Sequence, residues 1–465
     1  MVFKNFDNIF FVGAGGIGMS ALARYFRLIG KSVAGYDRTN TPLTKKLAGE
    51  GIFVFFDDDP ALIPSNFKNA SSTLVILTPA VKAENKVYQY FSNNGFEILK
   101  RSEILGKITD EYSTIAVAGT HGKTTVSTMI AHLLTQSKIG CTAFLGGISK
   151  NYGTNFLFSA KSKFAVAEAD EFDRSFLRLH PLMAVITSAD ADHLDIYGSA
   201  SEMKDAFSAF AGMVKPEGFL LVKKGLNLNL DGVKANEILT YSLDDSSADF
   251  YASSIITKAD TATFDLHFKG AKIAGLKLGI SGLMNVENAV AACAFALKTG
   301  VSEDELRSGL ISFKGINRRF DLQFKSEEIT YIDDYAHHPE EIRALVKSVR
   351  SVYPGKKITG IFQPHLFTRT RDFQDGFAET LGMLDEVIIL DIYPAREKPI
   401  EGVTSEIIFN KITNPNKYLC SKTDLLAALE QRQPEVLLTI GAGDIDQLVG
   451  AIKEWLTDNQ NQKSL

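Results

Sequence analysis

The chain has 465 residues, 45% hydrophobic and 23% charged, the balance of a globular protein with several cores. Lys and Arg number 50 against 55 Asp and Glu, so the net charge of −5 excludes a basic nucleic-acid face. Cys141, Cys293 and Cys420 lie far apart with no CxxC spacing, which excludes a disulfide framework or a cysteine zinc site and fits a reducing compartment.

The first segment, 1–107, begins with a buried-strand pattern, Asn8 to Val12. A glycine-rich turn follows, then a helix pattern from Met19 to Ile29 and a second strand, Ser32 to Tyr36, ending at Asp37. The apolar run 72–81 supplies a further strand. Strand, helix, strand with short turns predicts a parallel sheet. The N-terminal apolar run is too short for a signal peptide and leads straight into the glycine turn. No apolar stretch reaches the ~18 residues that span a bilayer. The expected protein is soluble and cytoplasmic, without membrane insertion.

The second segment, 108–317, opens with "STIAVAGTHGKTTVSTMIAHLL", an apolar run, a glycine turn and a helix pattern. The runs "KFAVAEADEFD" and "LMAVITSADADHLD" follow. Residues 215–282 alternate in short runs and predict an antiparallel β-rich part, closed by a helix from Val286 to Thr299. Gly315 to Arg319 reads as a linker. The third segment, 318–465, alternates strands and helices again, with Ile342, Leu345, Val346 and Val349 on one helical face. The tail "DNQNQKSL" reads as frayed. The fold class is α/β in three domains: an N-terminal Rossmann-like domain, a central P-loop ATPase-type domain with an added β-rich part, and a C-terminal Rossmann-like domain.

Two glycine turns carry phosphate chemistry. In Gly119-Thr120-His121-Gly122-Lys123-Thr124-Thr125, backbone N–H groups at a helix N-terminus suit phosphate oxygens. Lys123 adds a point charge for β- and γ-phosphates, and Thr124 offers a hydroxyl to Mg²⁺. The usual GxxxxGK[ST] pattern is shortened, because Val117 stands where its first glycine belongs. The other turn is Gly13-Ala14-Gly15-Gly16-Ile17-Gly18, with Asp37 as the acidic partner of a dinucleotide fingerprint.

Glu168 ends an apolar run, so it projects from the carboxyl end of a strand and suits Mg²⁺ opposite Thr124. Asp170, Glu171 and Asp173 read as solvated loop charges, one of which could orient substrate. His193, between Asp192 and Asp195, is a candidate metal or phosphate ligand. His365 and Arg369 suit a carboxylate, whereas Arg371 reads as a surface charge. Asn285 and Asn288 share one helical face and suit an adenine edge, although helix capping alone would explain Asn285.

"AGTHGKTT", "AEADE", "DADHLD", "NVENA", "NRRFD", "DDYAHHP" and "FQPHLFTRTRD", in this order, resemble the ATP-dependent Mur ligases over nearly the whole chain. "GAGGIG" with the last two motifs narrows the resemblance to alanine-adding members and their close relatives. The resemblance implies that the first turn holds the UDP part of a sugar nucleotide, not a nicotinamide, and the second holds ATP. It implies an amide bond between the lactyl carboxylate of UDP-N-acetylmuramate and L-alanine, made through an acyl phosphate with release of ADP and phosphate. Lys123, Glu168 and His193 would be catalytic. Thr124, Glu168 and His193 would hold Mg²⁺, with Mn²⁺ a substitute. Asn285, Asn288, Arg319 and Asp334 join the ATP contacts. Gly13 to Gly18, Asp37, Thr78, Asn155 and His193 fall to the sugar nucleotide, as do Gly146, Gly147, Asn151 and Gly153 in "GGISKNYGTN". Tyr335, His365 and Arg369 fall to the amino acid.

Leu366 departs from the family, which often has a basic residue there. Ser208 stands where several relatives carry a carbamylated lysine, so none is expected, and Lys204 reads as solvent-facing. A monomer or homodimer is expected. The alternatives are a relative that adds a tripeptide to the same sugar nucleotide, a nicotinamide-dependent oxidoreductase, and a nucleotide-binding regulator without chemistry.

Overall fold

A computed structural model describes residues 3–190, 194–395 and 397–463. The chain is α/β, and its described residues form three sheets. The first contains β1 (Asn8–Val12), β2 (Ser32–Tyr36), β3 (Phe53–Phe55), β4 (Thr73–Leu77) and β5 (Glu97–Lys100), ordered β3-β2-β1-β4-β5. All of its pairings are parallel. β1 reads "NIFFV" and is buried along its whole length, as a central parallel strand covered on both faces must be.

The second sheet has ten strands: β6 (Ser113–Ala118), β7 (Thr142–Ser149), β8 (Thr154–Leu157), β9 (Phe164–Glu168), β10 (Met183–Ile186), β11 (Phe219–Lys223), β12 (Glu237–Tyr241), β13 (Phe250–Thr257), β14 (Ala262–Phe268) and β15 (Ala271–Leu278). Their order is β15-β14-β13-β12-β11-β10-β6-β9-β7-β8. The antiparallel expectation for 215–282 fails at its start: β11 pairs parallel with β10 and with β12. "FLLVK" is a continuous apolar run, the pattern of a strand covered on both faces rather than of a half-exposed hairpin.

The third sheet contains β16 (Asp321–Lys325), β17 (Thr330–Asp334), β18 (Ile358–Phe362), β19 (Glu386–Ile389), β20 (Lys417–Leu419) and β21 (Val436–Ile440), ordered β16-β17-β21-β18-β19-β20. Only β16 runs antiparallel to its neighbour. Of the tail expected to fray, residues 458–463 continue the helix Asp446–Lys463, which is anchored by buried Ile452 and Leu456, and the last two residues lie outside the described ones.

By contact the chain forms two compact units. One comprises residues up to Ser253 with Leu266–Ala274 and Asn288–Phe313, and so holds the first sheet and most of the second. Its main core runs continuously through both, from Phe11 and Phe26 to Phe144, Phe176 and Phe207. Tyr25, on the helix Ile17–Leu28, packs against Phe144 and Phe156 at 5.7 and 6.2 Å between ring centroids. The other unit comprises Ser254–Asp265, Gly275–Glu287 and the chain from Lys314 onward. Its sheet is covered on one face by Ile342, Leu345 and Val346, and on the other by Leu425, Ile452 and Leu456. Among the described residues no helix is long and apolar enough to cross a membrane.

Candidate active site

Both glycine turns leave the carboxyl end of a strand whose neighbours lie on either side of it in the sheet. β1 sits between β2 and β4, and β6 between β9 and β10. These are the switch points at which open parallel sheets bind ligands.

In the first turn, Gly13 and Ala14 donate their N–H groups to the Tyr36 carbonyl at 2.8 and 3.0 Å. The Gly15 N–H donates to Asp37 Oδ2 at 2.7 Å, and Thr39 N–H to Asp37 Oδ1 at 3.0 Å. Asp37 therefore spends its carboxylate on the turn, which gives it a structural task that the fingerprint alone did not reveal. Gly13 has φ +90°, and an added Cβ would lie 2.3 Å from the methyl of Thr78. The helix Ile17–Leu28 starts after Gly16. Fully buried Asn155 donates to the Ile17 carbonyl at 2.5 Å and accepts from Arg24. It fixes the start of this helix. Asn151 donates to the Ser312 carbonyl, and the Gly153 carbonyl accepts from Lys46.

The second turn has Gly119 at φ +136° and Gly122 at φ +83°, and the helix Lys123–Gln136 begins at once. The segment after β10 braces it, which sequence reasoning missed. Ser188 Oγ accepts the His121 N–H at 2.6 Å and lies 2.8 Å from Thr120 Oγ1. Thr187 donates to the carbonyls of Ala118 and His121. A side chain at Gly119 would meet Thr187 Oγ1 at 2.2 Å. Thr124 and Thr125 are buried in the first helical turn.

Lys123 is not extended. Its Nζ donates to the Gly119 carbonyl at 2.6 Å and to Glu171, with N···O distances of 2.8 and 2.7 Å. Glu171, expected to be a solvated loop charge, is only 2% exposed and is the counter-ion of Lys123. Asp173 and Arg174 take left-handed backbone (φ 55° and 53°), and within that turn Asp173 stays exposed while Glu171 faces inward. Burial lowers the pKa of Lys123, but Glu171, Glu168 and Asp170 together raise it above its ordinary value. Burial pushes the carboxyl of Glu171 up to about 7 against the pull of Lys123. Tyr197 donates to the Glu171 carbonyl at 2.6 Å.

Glu168 is the last residue of β9, as expected. Its carboxylate lies against the Cα of Gly146 on β7, where an added Cβ would approach Oε2 at 2.2 Å. Arg101, another residue the sequence reading did not find, lies beside Gly18 and pairs with Asp170 at 3.1 Å. Its distant partners, 69 residues on in the case of Asp170, left no local signal. Asn288 Oδ1 would lie 3.1 Å from a Cβ on Gly122, so it faces the phosphate turn. His193 and Asp192 lie outside the described residues. Ser208 accepts the Asn229 N–H, and Lys204 is exposed.

In the other unit, Asn285 donates to the Ser281 carbonyl at 2.6 Å. Asp334 ends β17 and accepts the N–H groups of Phe320 and Ala336 at 2.6 and 2.8 Å. Two guanidinium groups lie over the ring of Tyr335, Arg318 at 5.1 Å and Arg319 at 4.8 Å from its centroid. Arg318, also missed, pairs with buried Asp333 and donates to the Gly441 carbonyl. His365 follows β18 and stacks on Tyr393 at 5.8 Å. Arg369 is buried in the helix Phe367–Asp372, whose start is held by Glu397 through the N–H of Thr368. Leu366 turns the chain at φ 69°, a conformation L-residues rarely adopt, and its side chain is buried. Arg371 pairs with Asp372 at the surface.

Burial pushes Asp334 up to about 6, although Arg319 and the two N–H donors favour its charge. Its folded pKa thus stands above the ordinary 3.8, so the stability it contributes is present at low pH and lost as pH rises through about 4 to 6. Urea unfolding of Asp334→Asn should lack this fall, worth at most roughly 3 kcal/mol. Parallel curves for the two proteins would refute it.

Three family models match the chain: Mur ligase family, catalytic domain over residues 8–113; Mur ligase middle domain over 117–296; and Mur ligase, glutamate ligase domain over 318–443. The UDP-N-acetylmuramate–L-alanine ligase of Porphyromonas gingivalis W83 is 51% identical over 449 residues, 96% of this chain and 98% of that protein. The ligase of the same name from Flavobacterium johnsoniae is 46% identical over 99% of this chain and 100% of its own length. Among solved structures, the UDP-N-acetylmuramate-alanine ligase of Thermotoga maritima superposes with a TM-score of 0.80 at 28% identity, covering 98% of this chain and 99% of that one.

Proposed function

We propose, from the premise that the chain belongs to the Mur ligase family, that it is an ATP-dependent ligase. It joins L-alanine to the lactyl carboxylate of UDP-N-acetylmuramate, a step of peptidoglycan precursor synthesis. The observation that carries this reading is the presence of two phosphate-suited glycine turns at strand ends within one compact unit, with Lys123 and Glu168 at the second. A nicotinamide reading leaves that second turn without a task, and at the first turn Asp37 is occupied by the Gly15 N–H.

The carboxylate attacks the γ-phosphorus of ATP, forming a P–O bond as the bond to ADP breaks. The amine of L-alanine then attacks the acyl carbon. The tetrahedral intermediate expels phosphate, and the nitrogen loses its proton. Such a sequence needs positioning and charge neutralisation more than covalent help. Gly119 to Thr125 surround the triphosphate, with Asn285, Asn288, Arg319 and Asp334 on ATP. Lys123 exchanges Glu171 and the Gly119 carbonyl for phosphate oxygens. Gly13 to Gly18 with Thr78 receive the UDP, Asp37 and Asn155 hold that turn and helix in shape, and Tyr335, His365 and Arg369 receive the amino acid.

A single carboxylate and a hydroxyl beside phosphate oxygens fit Mg²⁺, which commonly keeps waters and takes few protein ligands. Thr124 and Glu168 would hold it, and Gly146 leaves the carboxylate the room it needs. The ion supplies charge neutralisation on the transferring phosphoryl group. His193 remains a candidate for a second ion. The substrates place the enzyme in the cytoplasm.

The test is phosphate release with ATP, Mg²⁺ and UDP-N-acetylmuramate, comparing L-alanine, glycine, L-serine and the L-Ala-γ-D-Glu-diamino acid tripeptide. Strong dependence on L-alanine is expected. Preference for the tripeptide would move the enzyme to recycling, and silence with every acceptor would sink the reading. Arg369→Ala should raise KM for L-alanine about tenfold or more with a smaller change in kcat. An unchanged KM would remove Arg369 from the pocket.

A further inference from the structure

We infer that Arg101 is a substrate-binding residue that takes the reacting carboxylate of the sugar nucleotide in exchange for Asp170. The inference rests on the ligase reading. Arg101 begins the helix Arg101–Thr109, which is held tightly: a side chain at Gly106 would meet the Arg178 carbonyl at 2.6 Å. The guanidinium reaches Gly18 in the first turn, where an added Cβ would lie 2.7 Å from its Nη1. Its Nη2 lies 3.1 Å from Asp170 Oδ2. The same side chain lines a small cavity with Glu168, Asp170 and Ser175. One cation thus touches the glycine turn assigned to the sugar nucleotide and shares a cavity with the carboxylate assigned to the phosphoryl-transfer site.

An anion approaching Glu168 and Asp170 meets two negative charges, and Arg101 is the cation that lines this cavity. Its planar fork matches a carboxylate, which a lysine ammonium would not. Asp170 holds the guanidinium with one oxygen while the other accepts the Phe172 N–H at 3.1 Å. Asp170 therefore stays anchored when the guanidinium turns to a ligand. The pair is partly exposed, so the exchange does not strand a buried charge. The pyrophosphate is left to the N-terminus of the helix that starts after Gly16, which no side chain caps.

The test is calorimetric titration of UDP-N-acetylmuramate and of UDP-N-acetylglucosamine, which has the same pyrophosphate but no lactyl carboxylate. Arg101→Ala should weaken the first about tenfold or more and leave the second unchanged. Arg101→Lys should fall between. Equal weakening of both would assign Arg101 to the pyrophosphate and overturn the inference, as would no change in either. Asp170→Asn keeps Arg101 in place and covers the case in which Arg101→Ala does not fold. It should tighten the lactyl nucleotide alone, and unchanged binding overturns the exchange. The wild-type phosphate-release assay is separate: its failure would dismiss the ligase reading, whatever the titrations give.

Discussion

Lys123→Ala should lower acceptor-dependent phosphate release at least about a thousandfold while the protein stays folded. The ammonium is the cation that sits within the second glycine turn, 2.6 Å from the Gly119 carbonyl, and alanine supplies no charge to the triphosphate. A structural signature should accompany the loss. Glu171 is buried and faces Lys123, so the variant leaves a carboxyl without its counter-ion. Its pKa already stands at about 7 with the lysine present, and without it the value rises further. A carboxyl with a raised folded pKa contributes stability that is present below about 4.5 and lost as pH climbs through the folded value. The thermal deficit of Lys123→Ala should therefore be small near pH 5 and larger near pH 8.5. Lys123→Ala/Glu171→Gln should remove that dependence. Retained phosphate release would sink the site, and a deficit independent of pH would sink the Lys123–Glu171 pairing as its cause.

What was legible in the sequence was whatever the local chain dictates. A strand, a glycine turn and a helix must follow one another within about 20 residues for either cradle to form, and both were found in place. Glu168 was placed at a strand end because "FAVAE" is apolar up to that residue. Glu171 was not legible. It shares its acidic neighbourhood with Asp170 and Asp173, and only the left-handed turn at Asp173 and Arg174 separates the inward carboxylate from the solvated one. Thr187, Ser188 and Arg101 reach their partners across 66 to 69 residues, beyond any periodicity. The direction of β11 was a different failure. Short apolar runs were read as hairpin strands, although "FLLVK" lacks their alternation and is hydrophobic on both faces.

Gly146→Ala tests a role that the turn-like sequence "GGISKNYGTN" does not announce. Glycine there reads as flexibility or as a contact to the sugar nucleotide, yet its missing side chain is what admits Glu168. A Cβ would meet Oε2, Cδ and Oε1 of that carboxylate at 2.2 to 2.4 Å. The obstructed group is the far end of a flexible side chain, so the protein can relieve the clash by turning Glu168 aside. Stability should then fall by only about 1–3 kcal/mol, as in other overpacked sites. Activity should fall about a hundredfold or more, because displacing a positioned group by an ångström has that effect. Gly49→Ala is the control, since a Cβ there meets nothing within 4 Å. Glu168→Asp shortens the obstructed side chain, so adding Gly146→Ala to it should cost little further activity. Additive losses would mean that Gly146 acts apart from Glu168. A fully active Gly146→Ala enzyme would show that Glu168 need not stand where β9 places it, and would remove the carboxylate from the proposed site.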